Sequence, residues 1–265
     1  MLTASIVTFH TPEPELKNCL SALQQSCIDQ ISVIDNASED RIRGIVSLFD
    51  KAKYIPSGNI GYGAAHNKGM RTAIDSGSDF HLALNTDTVF TPEDIEELHR
   101  QIKSSADIGL VHPRIIGSDG TELFTSRLRP SPLDLFIRRF LPERMFRRRR
   151  DRYLLKHLDR TRAHNIPYHQ GSFLLFRVSA LKDCGLFDER FFMYPEDIDL
   201  CRRIHGKYRT LYVPTPTIIH HHQAASYKSL RMMLIHIANM VRYFNKWGWW
   251  RDPERDAMNS PLIKK

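Results

Sequence analysis

The sequence predicts an α/β protein built on a mostly parallel central sheet. Three observations carry this reading. Short β-branched apolar runs alternate with helical periodicities from the first residues onward, the pattern of strands joined by helical crossovers. Two of these runs end in polar tips, Asp35-Asn36-Ala37-Ser38 and Asn85-Thr86-Asp87. Three glycines, Gly58, Gly61 and Gly63, precede a small-residue helix start. Polar strand tips and glycine-led helix starts suit ligands, which lie outside the carboxyl ends of such sheets and on helix N-termini.

The elements follow in order. Residues 4–9 are a strand, and Thr11 precedes a helix over 13–25 with Leu16, Leu20 and Leu23 on one face. Residues 31–34 and 52–55 are the second and third strands. A helix over 64–76 leads into the apolar run 80–84, a buried strand. Pro92 opens a helix to Ser104 with an acidic first turn (Glu93, Asp94, Glu96, Glu97), as the helix dipole favours. Residues 108–112 are another strand, and Ser118-Asp119-Gly120 reads as a hairpin turn. Over 127–164 the alternation breaks. Arg138, Arg139, Arg144, Arg147, Arg148, Arg149, Arg150 and Arg152 interleave there with Phe136, Ile137, Phe140, Leu141, Met145 and Phe146, an insertion of amphipathic helical pieces. A strand over 172–177 and a helix over 179–184 resume the alternation. A helix starts at Glu196, and residues 209–213 are a strand. Pro214 and Pro216 bound a turn before 217–219 and the triplet His220-His221-His222. The last helix, 229–244, carries an apolar stripe (Leu230, Met233, Leu234, Ile237, Val241, Phe244) and is followed by Trp247, Trp249 and Trp250.

Composition narrows the function classes. A chain of 265 residues with 42% hydrophobic residues buries a real core, which excludes disorder throughout. The formal charge of +8 implies an anionic partner: nucleic acid, a nucleotide or an acidic membrane face. No apolar run reaches the roughly 18 residues of a membrane span. The N-terminus enters a strand directly, with no signal peptide expected. Cys19, Cys27, Cys184 and Cys201 form no Cys-x-x-Cys pair and read as free thiols in a reducing cytosol.

The candidate site residues sit at the tips. Asn85, Thr86 and Asp87 offer hard oxygen ligands for Mg²⁺ or Mn²⁺, or else form a polar turn. Asp35 accepts hydrogen bonds from a base or ribose, or caps the next turn. Glu196 and Asp199, three apart, share a helix face, whereas Asp197 points elsewhere. These acids suit the helix dipole, and one at a site rim can serve as general base. One of the three histidines could bind metal, or the triplet is a surface patch. The arginine cluster is a solvated run, a nucleic-acid patch or a lipid-headgroup surface, and its aromatics favour lipid over solvation. The terminal stripe is core packing or an interfacial face, and the tryptophans beside lysine and arginine raise the latter.

Together these motifs resemble the family 2 inverting glycosyltransferases with the GT-A fold, most of all bacterial rhamnosyltransferases of cell-surface polysaccharide assembly such as O-antigen and cell wall. The resemblance covers residues 3–225. Asp35-Asn36-Ala37-Ser38 looks like the family's nucleotide-base site. Gly58-Asn59 through Asn67 is similar to its Asn-x-Gly-(Tyr/Phe)-Gly-x-x-x-Asn loop. Asn85-Thr86-Asp87 stands where the family has Asp-x-Asp, with Asn85 replacing the first acid. Glu196-Asp197-Ile198-Asp199-Leu200-Cys201-x-Arg203 resembles its acceptor-side motif, and His220 follows Val213-Pro214 where many members hold a metal ligand.

The resemblance implies a Rossmann-like sheet flanked by helices: a GT-A domain over 1–225 with the basic insertion at 127–164, then a helical tail over 226–265. It implies nucleotide-sugar contacts at Thr8, Asp35, Asn36, Asn59, Gly61, Gly63, Asn67, Asn85, Thr86 and Asp87. Mg²⁺ or Mn²⁺ would sit on Asp87 and His220. Asp197 would act as base, with Glu196 and Asp199 orienting the acceptor or the loop. The implied donor is dTDP-L-rhamnose, with a UDP-sugar as rival, and the acceptor is a saccharide on a polyprenyl diphosphate. An enzyme with that acceptor works in the cytoplasm, peripherally on the inner face of the cell membrane, against anionic lipid and without nucleic acid. Two other classes compete: a nucleic-acid-binding protein using the arginines, which leaves the carboxylates unexplained, and a nucleotidyltransferase, which would release pyrophosphate.

Overall fold

The computed structural model describes residues 1–142, 144–221 and 230–263, with the backbone alone at Arg139. The first half is a parallel sheet with helical crossovers. Strand β1 (Leu2–Thr8) leads through α1 (Glu13–Gln25) to β2 (Gln30–Asp35), then through α2 (Asp40–Val46) to β3 (Ala52–Pro56). Helix α3 (Tyr62–Asp75) returns the chain to β4 (Phe80–Leu84) on the other side of β1. All these pairings are parallel. The order of growth reverses at β1, so a crevice opens beyond the carboxyl ends of β1 and β4, where such sheets bind ligands. Helix α2 has no counterpart in the sequence reading. At seven residues, with Gly44 inside, it offers too little periodicity to detect.

The second half is mixed. After β5 (Thr88–Val89) and α4 (Pro92–Lys103) come β6 (Ile108–Ile116), β7 (Ser126–Arg127), α5 (Pro132–Phe140), α6 (Arg147–Tyr153), β8 (His164–Asn165), β9 (Tyr168–His169) and β10 (Phe173–Arg177). Strand β10 inserts antiparallel between β4 and β6. It enters from the crevice end, where Asn85 N–H donates to Ser172 O at 2.9 Å, so it must run back down the sheet. Next come α7 (Val178–Cys184), α8 (Glu196–His205), β11 (Arg209–His220), α9 (Leu230–Trp247) and α10 (Pro253–Asn259). The turn expected at Pro214 and Pro216 is instead a register shift within one strand, between Val213 and Thr217 of β11. Proline lacks the N–H a regular ladder needs, and an irregularity accommodates it.

Two hydrophobic layers clamp the sheet. Leu16, Leu20, Leu23, Ile95, Leu98 and Ile102 of α1 and α4 cover one face. Met70, Leu181, Leu200, Cys201 and Ile204 of α3, α7 and α8 cover the other. All four cysteines are free thiols.

The arginine-rich insertion is only partly a solvated surface. Ser131 and Asp134 form a capping box on α5, and Arg149 Nε donates to Asp134 Oδ1 at 2.7 Å. Arg150 donates to the carbonyls of Ile137, at 2.6 Å, and Leu141. These two arginines therefore tie α6 to α5, while Arg144, Arg147 and Arg148 stay exposed. The apolar stripe of α9 points outward. Tyr243 and Phe244 pack inward, but Leu230 is 75% exposed and Leu234 63%, with Ile237 and Val241 exposed beside them. Among the described residues no helix is long and apolar enough to cross a membrane.

Candidate active site

The crevice is built by strand ends. Leu84 closes the buried β4, and Thr88 Oγ1 donates to Asn85 O at 2.7 Å, tightening the turn that presents Asn85, Thr86 and Asp87. Strand β5 pairs antiparallel with the end of β11, His220 opposite Thr88. That pairing brings His220 Nε2 to 3.1 Å from Asp87 Oδ1. His221 N–H donates to Asp87 O at 2.9 Å, and its ring turns to Ser118 Oγ. His222, the third of the triplet, lies outside the described residues. Asp87 Oδ1 is buried and accepts no hydrogen bond. A buried, uncommitted carboxylate oxygen beside an imidazole fits a divalent cation, and Mg²⁺ or Mn²⁺ suits such ligands. Among the described residues no cluster of three His, Cys, Asp or Glu side chains could hold a metal. Substrate and water oxygens would therefore complete the shell of any ion held here.

The acidic turn of α8 faces the crevice with two of its three carboxyls. Asp197 Oδ2 accepts from Gly171 N–H at 3.0 Å and, at 3.4 Å, from the Tyr168 hydroxyl; Oδ1 accepts from Ile198 N–H at 2.7 Å. Burial pushes its carboxyl up to about 6, against these donors and the charge of Arg127. Burial raises Glu196 well above its ordinary value, and the neighbouring Asp197 adds to the rise. Glu196 Oε2 is buried without a hydrogen-bond partner. Asp199, expected to orient the acceptor or the loop, makes its contacts within the fold. It is fully buried and accepts from Arg203 Nε at 2.9 Å, Lys246 Nζ at 2.6 Å and Trp247 Nε1 at 2.7 Å. Those partners commit it to clasping α9.

Several residues expected to touch the nucleotide serve the scaffold. Asp35 is fully buried and accepts from Thr8 Oγ1, Ala37 N–H, Glu39 N–H and Tyr54 Oη. Its two oxygens are thus occupied by the turn it caps, and Thr8 is spent on it. Asn67 exchanges hydrogen bonds with the backbone of Phe187, at 2.9 and 3.0 Å. Thr86 Oγ1 donates to Glu15. Two of the loop's glycines answer to packing. Gly61 has φ +96°, and a Cβ there would lie 2.3 Å from Phe192 O. At Gly63 a Cβ would lie 2.9 Å from Phe187 Cβ and 3.2 Å from Glu196 Cβ. The glycine loop thus lies against the segment that carries the acids. Asn59 stays exposed. Asn36 Nδ2 donates to Gly61 O at 3.2 Å, and its Oδ1 is buried without a partner.

Sequence reasoning assigned no role to Tyr62, Gly171 or Tyr168. The Tyr62 hydroxyl lies 2.9 Å from Asn85 Oδ1 and 2.6 Å from Gly171 O. An aromatic between two glycines was the available signal for Tyr62. Gly171 and Tyr168 carry none, because their contacts with Asp197 arise from the antiparallel return of β9 and β10.

The sequence profile of glycosyl transferase family 2 matches residues 4–185. An N-acetylglucosaminyl-diphospho-decaprenol L-rhamnosyltransferase of Mycobacterium tuberculosis is 28% identical, over 97% of this chain and 89% of its own length. The low-salt glycan biosynthesis hexosyltransferase Agl10 of Haloferax volcanii is 31% identical over 75% of this chain and 60% of its own. Among solved structures, S. aureus TarS in complex with UDP superposes with a TM-score of 0.59 at 14% identity, covering 98% of this chain and 70% of that one. A mannosyltransferase of Pyrobaculum calidifontis, in complex with GDP-Man and Mn²⁺, gives 0.58 at 13% identity, covering 98% and 73%. The profile spans the crevice from β1 through β10, and the solved structures share its GT-A sheet. This chain belongs to glycosyl transferase family 2 and is a glycosyltransferase.

Proposed function

We propose that the enzyme transfers L-rhamnose from dTDP-L-rhamnose to a saccharide on a polyprenyl diphosphate, inverting the anomeric carbon. A UDP-sugar is the rival donor. One observation carries this reading: an uncommitted Asp87 oxygen beside His220 and the buried acids Glu196 and Asp197 face the same crevice. The first suits a departing nucleoside diphosphate, the second an arriving hydroxyl. The decaprenol-linked rhamnosyltransferase of M. tuberculosis, similar over nearly the whole chain, supports the donor and acceptor classes.

Asp87 and His220 would hold Mg²⁺ or Mn²⁺, which when bound supplies positive charge against the leaving diphosphate. Asn85 and the exposed Asn59 line the donor side. Asp197, ionised above about pH 6, takes the acceptor hydroxyl proton as that oxygen bonds to the anomeric carbon. The bond from that carbon to the diphosphate oxygen breaks on the opposite face, and the nucleoside diphosphate leaves with the electron pair. Glu196, whose carboxyl burial and the neighbouring Asp197 push well above its ordinary value, is the harder of the two acids to ionise.

The acceptor's lipid carrier favours peripheral work on the cytoplasmic leaflet. Exposed Phe136, Phe140, Met145 and Phe146 stand among exposed Arg144, Arg147 and Arg148, and α9 exposes its own apolar stripe. Such a surface suits anionic headgroups.

The test is transfer and nucleotide binding with and without Mn²⁺. Asp87→Ala should abolish transfer and remove the metal-dependent gain in nucleotide affinity. His220→Ala should cost more activity than His221→Ala, whose ring bonds Ser118. Normal transfer and metal response in Asp87→Ala would overturn the strand-tip assignment.

A further inference from the structure

The phenol of Tyr62 has one hydrogen, and two oxygens stand within hydrogen-bond distance of it: Gly171 O at 2.6 Å and Asn85 Oδ1 at 2.9 Å. One hydrogen cannot serve both well. An amide's oxygen and nitrogen are nearly isosteric, so a half-turn of the Asn85 carboxamide presents Nδ2–H to the phenol oxygen and removes the conflict. The amide makes no other side-chain hydrogen bond among the described residues to oppose that turn. The donors then run in one direction: Asn85 Nδ2–H to Tyr62 Oη, Tyr62 Oη–H to Gly171 O, and Gly171 N–H to Asp197 Oδ2 at 3.0 Å.

We propose that Tyr62 is a positioning residue whose single hydroxyl joins the strand tip on the donor side to the carbonyl of Gly171, the residue whose N–H anchors Asp197 on the acceptor side. The proposal rests on Asp197 being the base. It gives asparagine at 85 a reason. An aspartate there has no N–H and would compete with Gly171 for the phenol hydrogen. The location supports the same role. Tyr62 is half-buried, its ring edges onto His66 at 4.5 Å, and its own N–H donates to Phe192 O at 3.0 Å. It is therefore fixed from three sides. The carbonyl and the N–H of Gly171 lie in successive peptides that share its Cα, and a glycine backbone turns freely, so holding the carbonyl limits how far the N–H can turn from Asp197. The titratable and charged groups around Asp197 are Glu196 and Cys201 on its own helix, Tyr168 on β9, Arg127 on β7, Tyr153 on α6 and Tyr62 on α3. The Gly171 N–H is among those that lower its proton affinity. Weakening that bond raises the affinity and moves the acid limb of the rate profile to higher pH.

Tyr62→Phe keeps the ring and removes the hydroxyl. With dTDP-L-rhamnose as donor and a polyprenyl-diphosphate-linked N-acetylglucosamine as acceptor, kcat should fall about tenfold, the worth of one hydrogen bond, while the donor KM stays within about twofold. The acid limb should move up in pH, and the Gly171 amide should exchange with solvent several times faster by NMR, a readout independent of turnover. Asn85→Asp should move the limb in the same direction. Wild-type kcat, acid limb and Gly171 exchange in Tyr62→Phe would overturn the relay, as would an unchanged limb in Asn85→Asp. An inactive Asp197→Asn alongside such a result leaves the base assignment standing. Normal transfer by Asp197→Asn removes the base assignment, and Gly171 exchange then still decides whether the hydroxyl holds the peptide.

Discussion

Glu196 and Asp197 are adjacent, both buried, and differ in what reaches them. Asp197 receives two backbone N–H groups, whereas Glu196 Oε2 receives nothing. Paired acids in unlike environments titrate apart, and here the one that receives backbone donors ionises first. A base must be ionised to work, so transfer should fall as pH drops through about 6, where Asp197 takes up its proton. A limb lying well above that value would assign the base to Glu196. The substitutions should agree: Asp197→Asn keeps donor binding and loses about 10²–10⁴-fold in single-turnover transfer, the usual worth of a general base. Glu196→Gln leaves the base in place and should retain most of the rate. Linkage adds a stability readout. A carboxyl whose folded value is raised favours the fold while protonated, and that contribution is lost as pH rises through the raised value. Glu196→Gln should therefore resist unfolding better than wild type above the raised value, with the advantage shrinking as pH falls toward the ordinary carboxylate range. A rate limb unmoved from about 6 in an active Asp197→Asn would refute the assignment.

At the scale of elements, α8 is held from behind by the chain's last helices. Arg202 is 2% exposed, forms a fork with Asp252 at 2.7 Å on both nitrogens, and lies 4.1 Å over the Trp247 ring. Asp199 closes the same clasp through Lys246 and Trp247. Removing one partner of a buried pair costs about 3–5 kcal/mol where the other charge is stranded, and without Asp252 Arg202 keeps only the half-exposed Glu254, on Nε and Nη2. Asp252→Ala should lower the unfolding free energy on that scale in a denaturant titration, although it lies outside the crevice. A loss below about 1 kcal/mol, the worth of a surface pair, would mean Arg202 finds water instead. None of this clasp was legible in the sequence, which marks Asp199 and Arg203 as a helical pair but says nothing of Lys246 four dozen residues on. The parallel half was legible because each crossover returns a strand of the same direction, and the strand tips followed from it. The antiparallel β10 was not, because a buried five-residue apolar run reads alike in either direction. The glycine loop was legible as a site, but its packing was not. Its glycines admit the 187–196 segment, a close approach that only the folded chain reveals. Asp35 showed both of its readings in the sequence, and four internal donors supply the capping one.

At the scale of the whole molecule, two helices of the described residues leave apolar side chains exposed. Leu135 of α5 and Met240 of α9 pack on one cluster that includes Tyr243 and Phe244, while Phe136 and Phe140 of α5 and the stripe of α9 stay exposed. Basic residues flank both helices, and α9 adds Arg231. Near an anionic leaflet each such residue contributes about 1 kcal/mol, screened as salt rises, while inserted apolar side chains hold on at high salt. The protein should therefore bind vesicles of phosphatidylglycerol and phosphatidylcholine, and salt should release it only in part. The choice of substitution matters. Changing all of Arg147 to Arg150 would cut the ties that Arg149 and Arg150 make to α5, confusing loss of lipid contact with loss of structure. Replacing Arg144, Arg147 and Arg148 with serine leaves those ties in place. That variant should lose the salt-sensitive part of binding while keeping its unfolding midpoint. Leu234→Asp with Ile237→Asp should lose the salt-resistant part. Vesicle binding unchanged by both sets would assign these side chains to something other than a membrane.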